Sequence, residues 1–174
     1  MRLRGWRLAS GILVVVLVIL ALAQETPAET LPVKGRIVQH MTKIEVIEVG
    51  DVPGHVVGVM ESKGLVFMED GEIGLYSHVL TFDYTNGSGP FQGYSLITYE
   101  DGSIQVSKAQ GSSTVAQAGA FGVITLFEGT FEWIMGTGRY EGIQGSGSFS
   151  GKRLAPLAVG ADTYLDLTGT YTLP

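Results

Sequence analysis

One segment carries six of the chain's 25 glycines, and it reads Gly136-Thr137-Gly138-Arg139-Tyr140-Glu141-Gly142-Ile143-Gln144-Gly145-Ser146-Gly147-Ser148-Phe149-Ser150-Gly151. Such segments hold phosphate groups when they join a strand to a helix with the spacing G-x-G-x-x-G. Here three residues, not two, separate Gly138 from Gly142, and the Gly/Ser-rich residues that follow are poor helix formers. No Gly-Lys-Ser/Thr sequence follows to make a P-loop. We therefore interpret the segment as a turn and a strand that its glycines allow to bend.

The segment follows a stretch with the two-residue periodicity of a half-buried strand. Between residues 121 and 135 the odd positions are mostly apolar or aromatic, while Glu128 and Glu132 fall on even positions. This alternation places Phe127, Phe131 and Trp133 on the core face of the strand. A second alternating stretch, residues 163–173, closes the chain.

Upstream, three dipeptides mark tight turns between strand-like runs: Asp70-Gly71, Asn86-Gly87 and Asp101-Gly102. Asp-Gly and Asn-Gly favour hairpins because both central residues of the preferred turn need positive φ. The runs between them are rich in Val, Ile, Thr, Tyr and Phe, which suit a pleated surface. The pattern predicts an antiparallel meander.

The sequence therefore predicts an all-β fold, an antiparallel eight-stranded up-and-down barrel of the calycin-like kind. The predicted strands lie near residues 36–49, 56–68, 72–85, 91–100, 103–110, 121–135, 139–151 and 162–173. Closing such a meander removes exposed strand edges, and the interior of an eight-stranded barrel admits side chains or one small ligand. An open two-sheet sandwich is the alternative architecture.

Residues 1–23 have the layout of an export signal. Arg2, Arg4 and Arg7 precede an uncharged apolar run that ends on Ala21-Leu22-Ala23, a small-x-small cleavage pattern. The alternative is an uncleaved anchor, since the run falls slightly short of the roughly 20 residues of a membrane span. We predict a signal peptide over residues 1–23, a disordered lead over 24–34 and a single barrel domain over 35–174. The expected location is secreted or periplasmic, with no membrane span after cleavage.

Charge and composition narrow the function classes. Without residues 1–23 the chain keeps eight basic against 17 acidic residues, a net charge of −9. An acidic surface repels phosphate backbones, so no nucleic-acid partner is expected. The chain has no cysteine, so an exported domain would depend on its core and hydrogen bonds instead of disulfides. A homo-oligomer is compatible with the sequence.

Thr137-Gly138-Arg139-Tyr140, with Gly145 seven residues after Gly138, resembles the Thr-Gly-Lys/Arg-Phe/Tyr…Gly signature of dirigent proteins. Dirigent proteins form one superfamily of small eight-stranded barrels with allene oxide cyclases. The resemblance implies an exported, bacterial-type barrel whose lumen holds an apolar small molecule. It also implies, as an alternative, a cofactor-free isomerase or cyclase.

Candidate site residues are few. Glu61, mid-strand among apolar residues, could pair with Lys63 or with His78, and a Glu–His couple in an apolar barrel could act as acid and base. In the alternative, Glu61 and Lys63 point outward and the small residues of the strand point in. The candidate ligand-binding residues are Tyr76, Tyr94, Phe127, Phe131 and Trp133.

No cofactor and no metal is predicted. His40, His55 and His78 are widely spaced, and neither H-x-H nor H-E-x-x-H occurs. The leading hypothesis is an exported barrel that binds a small hydrophobic molecule without catalysis. The alternative is an isomerase or cyclase of the allene oxide cyclase or dirigent type, which would need ionisable groups converging in the lumen.

Overall fold

The computed structural model describes residues 29–117 and 122–174. Its strands are β1 (Thr30–Glu48), β2 (His55–Met68), β3 (Ile73–Thr85), β4 (Gly89–Thr98), β5 (Ile104–Gln117), β6 (Val123–Thr137), β7 (Gln144–Arg153) and β8 (Asp162–Thr172). The predicted signal peptide, residues 1–23, lies outside the described residues. Among the residues that are described, none forms a helix with the length and hydropathy needed to cross a membrane.

The eight strands form one closed antiparallel barrel in chain order. Each strand pairs with the next, and β8 returns to pair with β1 from Thr30↔Thr172 to His40↔Asp162. Without this pairing β1 and β8 would be the two open edges of the sheet, so closure provides hydrogen-bond partners for their backbones. The predicted eight-stranded up-and-down barrel is confirmed, and the sandwich alternative is excluded.

The predicted disordered lead of residues 24–34 is wrong for Thr30–Lys34, which belong to β1 and pair with β8. Pairing with β2 begins only at Gly35, so this part of β1 has a partner on one side. Pro32 has no N–H to donate and is tolerated at such an edge position. Pro32 correctly indicated that this segment is not helical, but a proline is compatible with an extended strand at an edge.

Two other strand boundaries differ from the prediction. β5 continues to Gln117 instead of ending near residue 110, because Gly111-Ser112-Ser113 are paired on both sides by β4 and β6. β7 begins at Gln144 instead of 139, because Gly138–Tyr140 form a short 3-10 turn with Gly138 at φ 61°. The glycine-rich segment is thus a strand end, a turn and a strand, as interpreted.

Inward-facing glycines make room for aromatic rings in the lumen. The ring tips of Phe131 and Phe149 occupy the space where side chains would stand at Gly147 and Gly129 on neighbouring strands. Phe82 and Phe91 cover Gly58 and Gly111 in the same way, also on neighbouring strands. Aromatic rings packed over glycines on adjacent strands protect the bare backbone. The glycines therefore serve packing inside the barrel.

The core divides into two clusters at opposite ends of the barrel. One lies near the β4–β5 and β6–β7 connections and includes Tyr99, Tyr140 and Ile143. The other includes Met41 and Tyr84, with Leu157 of the β7–β8 loop packed against it. Both ends of the lumen are therefore filled by side chains, which leaves the middle for any cavity.

Arg139, in the Thr-Gly-Arg-Tyr segment, contacts aromatic and acidic side chains at the barrel end that contains Tyr99 and Tyr140. Its guanidinium stacks 4.8 Å from the ring centres of both Tyr99 and Tyr140. The same group forms an ion pair with Glu72, and its Nη1 lies 3.6 Å from Asp101 Oδ2. The residues behind the dirigent resemblance therefore have a structural role at the barrel end.

We expect Arg139→Ala to lower the free energy of unfolding by about 1–2 kcal/mol, because two cation–π contacts and a partly screened ion pair are lost. Arg36→Ala is the matched control. Arg36 also pairs with a carboxylate, Asp166, and lies 5.1 Å from the Tyr164 ring centre, but its side chain is 57% exposed against 40% for Arg139. The control should lower the free energy of unfolding clearly less, because solvent screens its ion pair. Urea unfolding followed by circular dichroism measures both, and equal losses would contradict a special role for Arg139.

Candidate functional site

The middle of the lumen contains a cavity of about 80 Å³. Aromatic and aliphatic side chains make up most of its wall, and a smaller number of polar groups face it. The predicted residues Tyr76, His78, Tyr94, Phe127, Phe131 and Trp133 all border this cavity. The alternation of residues 121–135 therefore placed Phe127, Phe131 and Trp133 on the lumen face correctly.

The size of the cavity limits what it can hold. One water needs roughly 10–15 Å³ on this measure, so the space corresponds to about five to eight non-hydrogen atoms. Pockets for drug-sized ligands are several times larger. The cavity suits a short organic molecule or a small water cluster.

A row of polar residues crosses the lumen at one level. Strand register pairs Ser62 with His78, His78 with Ser95, and Ser95 with Ser107. Ser107 in turn pairs with Trp133 on β6. All five residues border the cavity. The row places hydroxyl, imidazole and indole groups on five adjacent strands, among the aromatic and aliphatic side chains of the wall.

Three buried polar atoms in the described residues have no hydrogen-bond partner: Gln39 Oε1, His78 Nε2 and Trp133 Nε1. Each belongs to a residue that borders the same cavity. An unsatisfied buried polar group costs about 1–3 kcal/mol, and native structures contain few of them. Three around one cavity mark the place where a bound molecule or ordered water would complete the hydrogen bonding.

His78 is held by its neighbour Tyr76. The Tyr76 hydroxyl lies 3.3 Å from His78 Nδ1 and 2.8 Å from Ser95 Oγ. Burial lowers the pKa of His78 to about 4 and raises the pKa of Tyr76 to about 12. At neutral pH the lumen therefore holds a neutral imidazole and a neutral phenol.

A second polar row, on the other side of the barrel, was missed from the sequence. Register pairs Gln39 with Thr163, Thr163 with Arg153, and Arg153 with Thr125. Arg153 is only 3% exposed and borders the cavity. It follows the inward-facing Phe149 and Gly151 at two-residue spacing, so a longer β7 would have placed it in the lumen.

Glu61 does not join this site, so the candidate couple with His78 does not form. β2 turns Met60 and Ser62 inward, so Glu61 faces outward, and the register sets it beside Val79 and Lys43. The alternative is confirmed: Lys63 is exposed, and the small-residue face of β2 points into the lumen. The two-residue period fixes this outcome, because neighbours on one strand face opposite sides.

Tyr94 differs from the other predicted ligand-binding residues. Its neighbours Gly93 and Ser95 are turned toward the lumen, and Tyr94 itself is 56% exposed. It borders the cavity from the wall between β3 and β4, and its ring lies on the outer face. The prediction of a lumen-facing ring at this position is wrong.

The other histidines lie apart from the cavity. His40 is exposed on β1, and His55 at the start of β2 lies 2.5 Å from Asp51 Oδ1 and 2.8 Å from Asp83 Oδ1. These two carboxylates, Asp83 first, raise the pKa of His55. Within residues 29–117 and 122–174, no three His, Asp or Glu side chains converge as metal ligands.

Two solved structures are similar to this barrel. The conserved protein of unknown function RPA1785 from Rhodopseudomonas palustris aligns with a TM-score of 0.51 and 11% identity, over 83% of this chain and 99% of that one. The pterocarpan synthase dirigent protein GePTS1 aligns with a TM-score of 0.48 and 12% identity, over 84% of this chain and 90% of that one. The first likeness concerns the fold alone, and the second is too low to support an argument.

No family model matches the chain, and no curated protein sequence matches it. The eight-stranded barrel that the dirigent resemblance implied is present. Membership of the superfamily stays a prediction.

Proposed function

We propose that this protein is an exported barrel that binds one small, largely apolar molecule in its lumen without changing it. The observation that carries the proposal is the set of three unpartnered polar atoms, on Gln39, His78 and Trp133, around one cavity. Each such atom is costly to leave unpaired, so three of them in the wall of one cavity support the presence of a bound molecule there. Export rests on the predicted signal peptide and belongs to the proposal.

The chemistry of the wall supports a mixed ligand. Phe127, Phe131 and Phe149 offer apolar contact, and their burial of a ligand's carbon skeleton would supply most of the affinity. Trp133 Nε1 can only donate a hydrogen bond, and Gln39 Oε1 can only accept one. The ligand that fits this wall is mainly hydrocarbon and carries at least one hydrogen-bonding group.

An isomerase or cyclase is the second candidate, and His78 is the observation that favours it. Its neutral imidazole presents an unpartnered Nε2 in the site, and this atom can accept a proton. No aspartate or glutamate of the described residues borders the cavity, so a carboxylate partner for this base is missing. Binding without catalysis therefore has the stronger support.

Mass spectrometry of small molecules that copurify with the full chain tests the proposal. We expect one class of largely apolar molecule, recovered at a stoichiometry near one from the wild type. Ser107→Leu, which fills the cavity from β5, should lose it, and Lys108→Leu on the outer face of the same strand should retain it. Recovery at equal levels from both variants would place binding outside the lumen and overturn the proposal.

A second measurement separates the two candidates. The recovered molecule is returned to the protein and followed by NMR for hours at pH 7. An unchanged spectrum supports binding alone. Conversion into an isomer that the His78→Gln variant fails to produce would replace the binding proposal with the isomerase.

A further inference from the structure

Arg153 is a buried cation without a carboxylate partner. The residue is 3% exposed at the end of β7, beneath the β7–β8 loop. Its Nε donates to the Ala155 carbonyl oxygen at 3.2 Å, and its Nη2 donates to Thr125 Oγ1 at 2.8 Å. The guanidinium also lies 5.3 Å from the Phe127 ring centre. All of these partners are neutral.

The two other arginines of the described ranges behave differently. Arg36 pairs with Asp166 and Arg139 pairs with Glu72, and both are at the surface, where water would solvate them in any case. No aspartate or glutamate in residues 29–117 and 122–174 forms an ion pair with Arg153. The arginine least accessible to water is thus the one that lacks a counter-charge.

A buried cation without a counter-charge is unfavourable unless a second molecule supplies the negative charge. Moving a cation out of water costs several kcal/mol, and neutral hydrogen bonds recover only part of this. Desolvation accordingly lowers the pKa of Arg153 from its ordinary value. Nη1 makes no hydrogen bond to the described residues, and its N–H groups can donate to the negative group of a second molecule.

We propose that the lumen ligand carries a carboxylate that pairs with Arg153. The inference rests on the proposed function and adds the chemical class of the ligand. Arg153 borders the same cavity as the three unpartnered polar atoms, so one molecule can meet both. Its carboxylate lies at Arg153, and its apolar body lies against Phe127 and Phe149.

The cavity size sets the length of this acid. About five to eight non-hydrogen atoms fit, which corresponds to a short aliphatic or compact aromatic carboxylic acid. A long-chain acid exceeds this space. Pentanoate, with seven non-hydrogen atoms, is therefore a suitable probe.

The first experiment needs no variant. Binding of pentanoate, pentanamide and pentylammonium to the full-length wild type is measured at pH 7 by calorimetry and by tryptophan fluorescence, to which Trp133 at the cavity contributes beside Trp6. The three probes have closely similar shapes and differ in charge. We expect pentanoate to bind at least about tenfold more tightly than pentanamide, since hydrogen bonds between two charged groups are stronger than those to a neutral amide. Pentylammonium should not bind measurably.

A pair of variants then locates the charge. Arg153→Met keeps an unbranched apolar stem and removes the cation, so pentanoate should lose its advantage over pentanamide. Lys152→Met, on the exposed face of the same strand, is the control and should keep the advantage. Circular dichroism establishes that each variant is folded. If Arg153→Met does not fold, the wild-type comparison alone decides.

The outcomes separate this inference from the proposed function. If pentanamide binds as tightly as pentanoate to the wild type, the lumen binds small molecules but the carboxylate assignment is overturned. Inorganic phosphate that competes as well as pentanoate would also overturn it, in favour of a general anion site. If none of the probes binds and no molecule copurifies, the carboxylate inference and the proposed function both fall.

Discussion

Gly147→Ala is expected to lower the free energy of unfolding by about 3 kcal/mol or more, a large effect for the addition of one methyl group. A Cβ at this position would lie 2.5 Å from the tip of the Phe131 ring and would also collide with the Thr168 carbonyl oxygen on the neighbouring strand. Gly147 faces the lumen between Phe131 and Gly169, where backbones and ring pack without space for a methyl group. Chemical denaturation followed by circular dichroism measures the loss.

Gly102→Ala is the matched control for this prediction. Gly102 has φ of 82° in the β4–β5 turn, and nothing lies within 4 Å of a Cβ built there. Its substitution should lower the free energy of unfolding by about 1–2 kcal/mol, because alanine is strained in the left-handed backbone conformation. If Gly147→Ala proves no more costly than Gly102→Ala, close packing of the ring over Gly147 does not constrain the barrel.

The second large effect concerns pH, and it arises from His78. We expect the free energy of unfolding to fall by about 3 kcal/mol as the pH falls from about 6.5 to 4. Burial lowers the pKa of His78 in the folded state to about 4, from the ordinary histidine value of about 6.5. Between these values the unfolded chain binds a proton that the folded chain excludes, so acid favours unfolding. Urea titrations at half-unit pH steps measure the change.

His78→Gln should flatten this slope, and His40→Gln, at an exposed position on β1, should leave it unchanged. His55 does not interfere, because its raised pKa gives a contribution that is fully present below 6.5 and is lost only at higher pH. The carboxyl groups with lowered pKa values, such as Asp166, act mainly below the window. A slope that survives in His78→Gln would show that another group takes up the proton.

The turn dipeptides and the strand alternation were sufficient to predict the barrel. Asp-Gly and Asn-Gly signals depend only on local backbone conformation, and the structure has turns at all three. Alternation likewise placed Phe127, Phe131 and Trp133 in the lumen, because a strand has a fixed two-residue period. It was less informative in β2, where glycines and valines leave two faces of similar polarity and Glu61 became a false candidate.

The candidate site could not be predicted from any one strand alone. The row of Ser62, His78, Ser95, Ser107 and Trp133 exists only because four strand registers align, and no single segment of the sequence indicates that alignment. Each serine taken alone is an ordinary strand residue. Register depends on turn lengths and on bulges such as the one between Met41 and Lys43, which local patterns do not reveal.

Local conformational preferences along the chain were therefore sufficient to predict the strands, the lumen-facing side of most of them and the closure into a barrel. The glycine-rich segment belongs with these, since its spacing already argued against a phosphate site. The position of Arg153, and the meeting of three unpartnered polar atoms in one cavity, came from the packing of distant strands. The physical reason is that secondary structure depends on neighbours in sequence, whereas burial and charge pairing depend on neighbours in space, which closure of the barrel alone brings together.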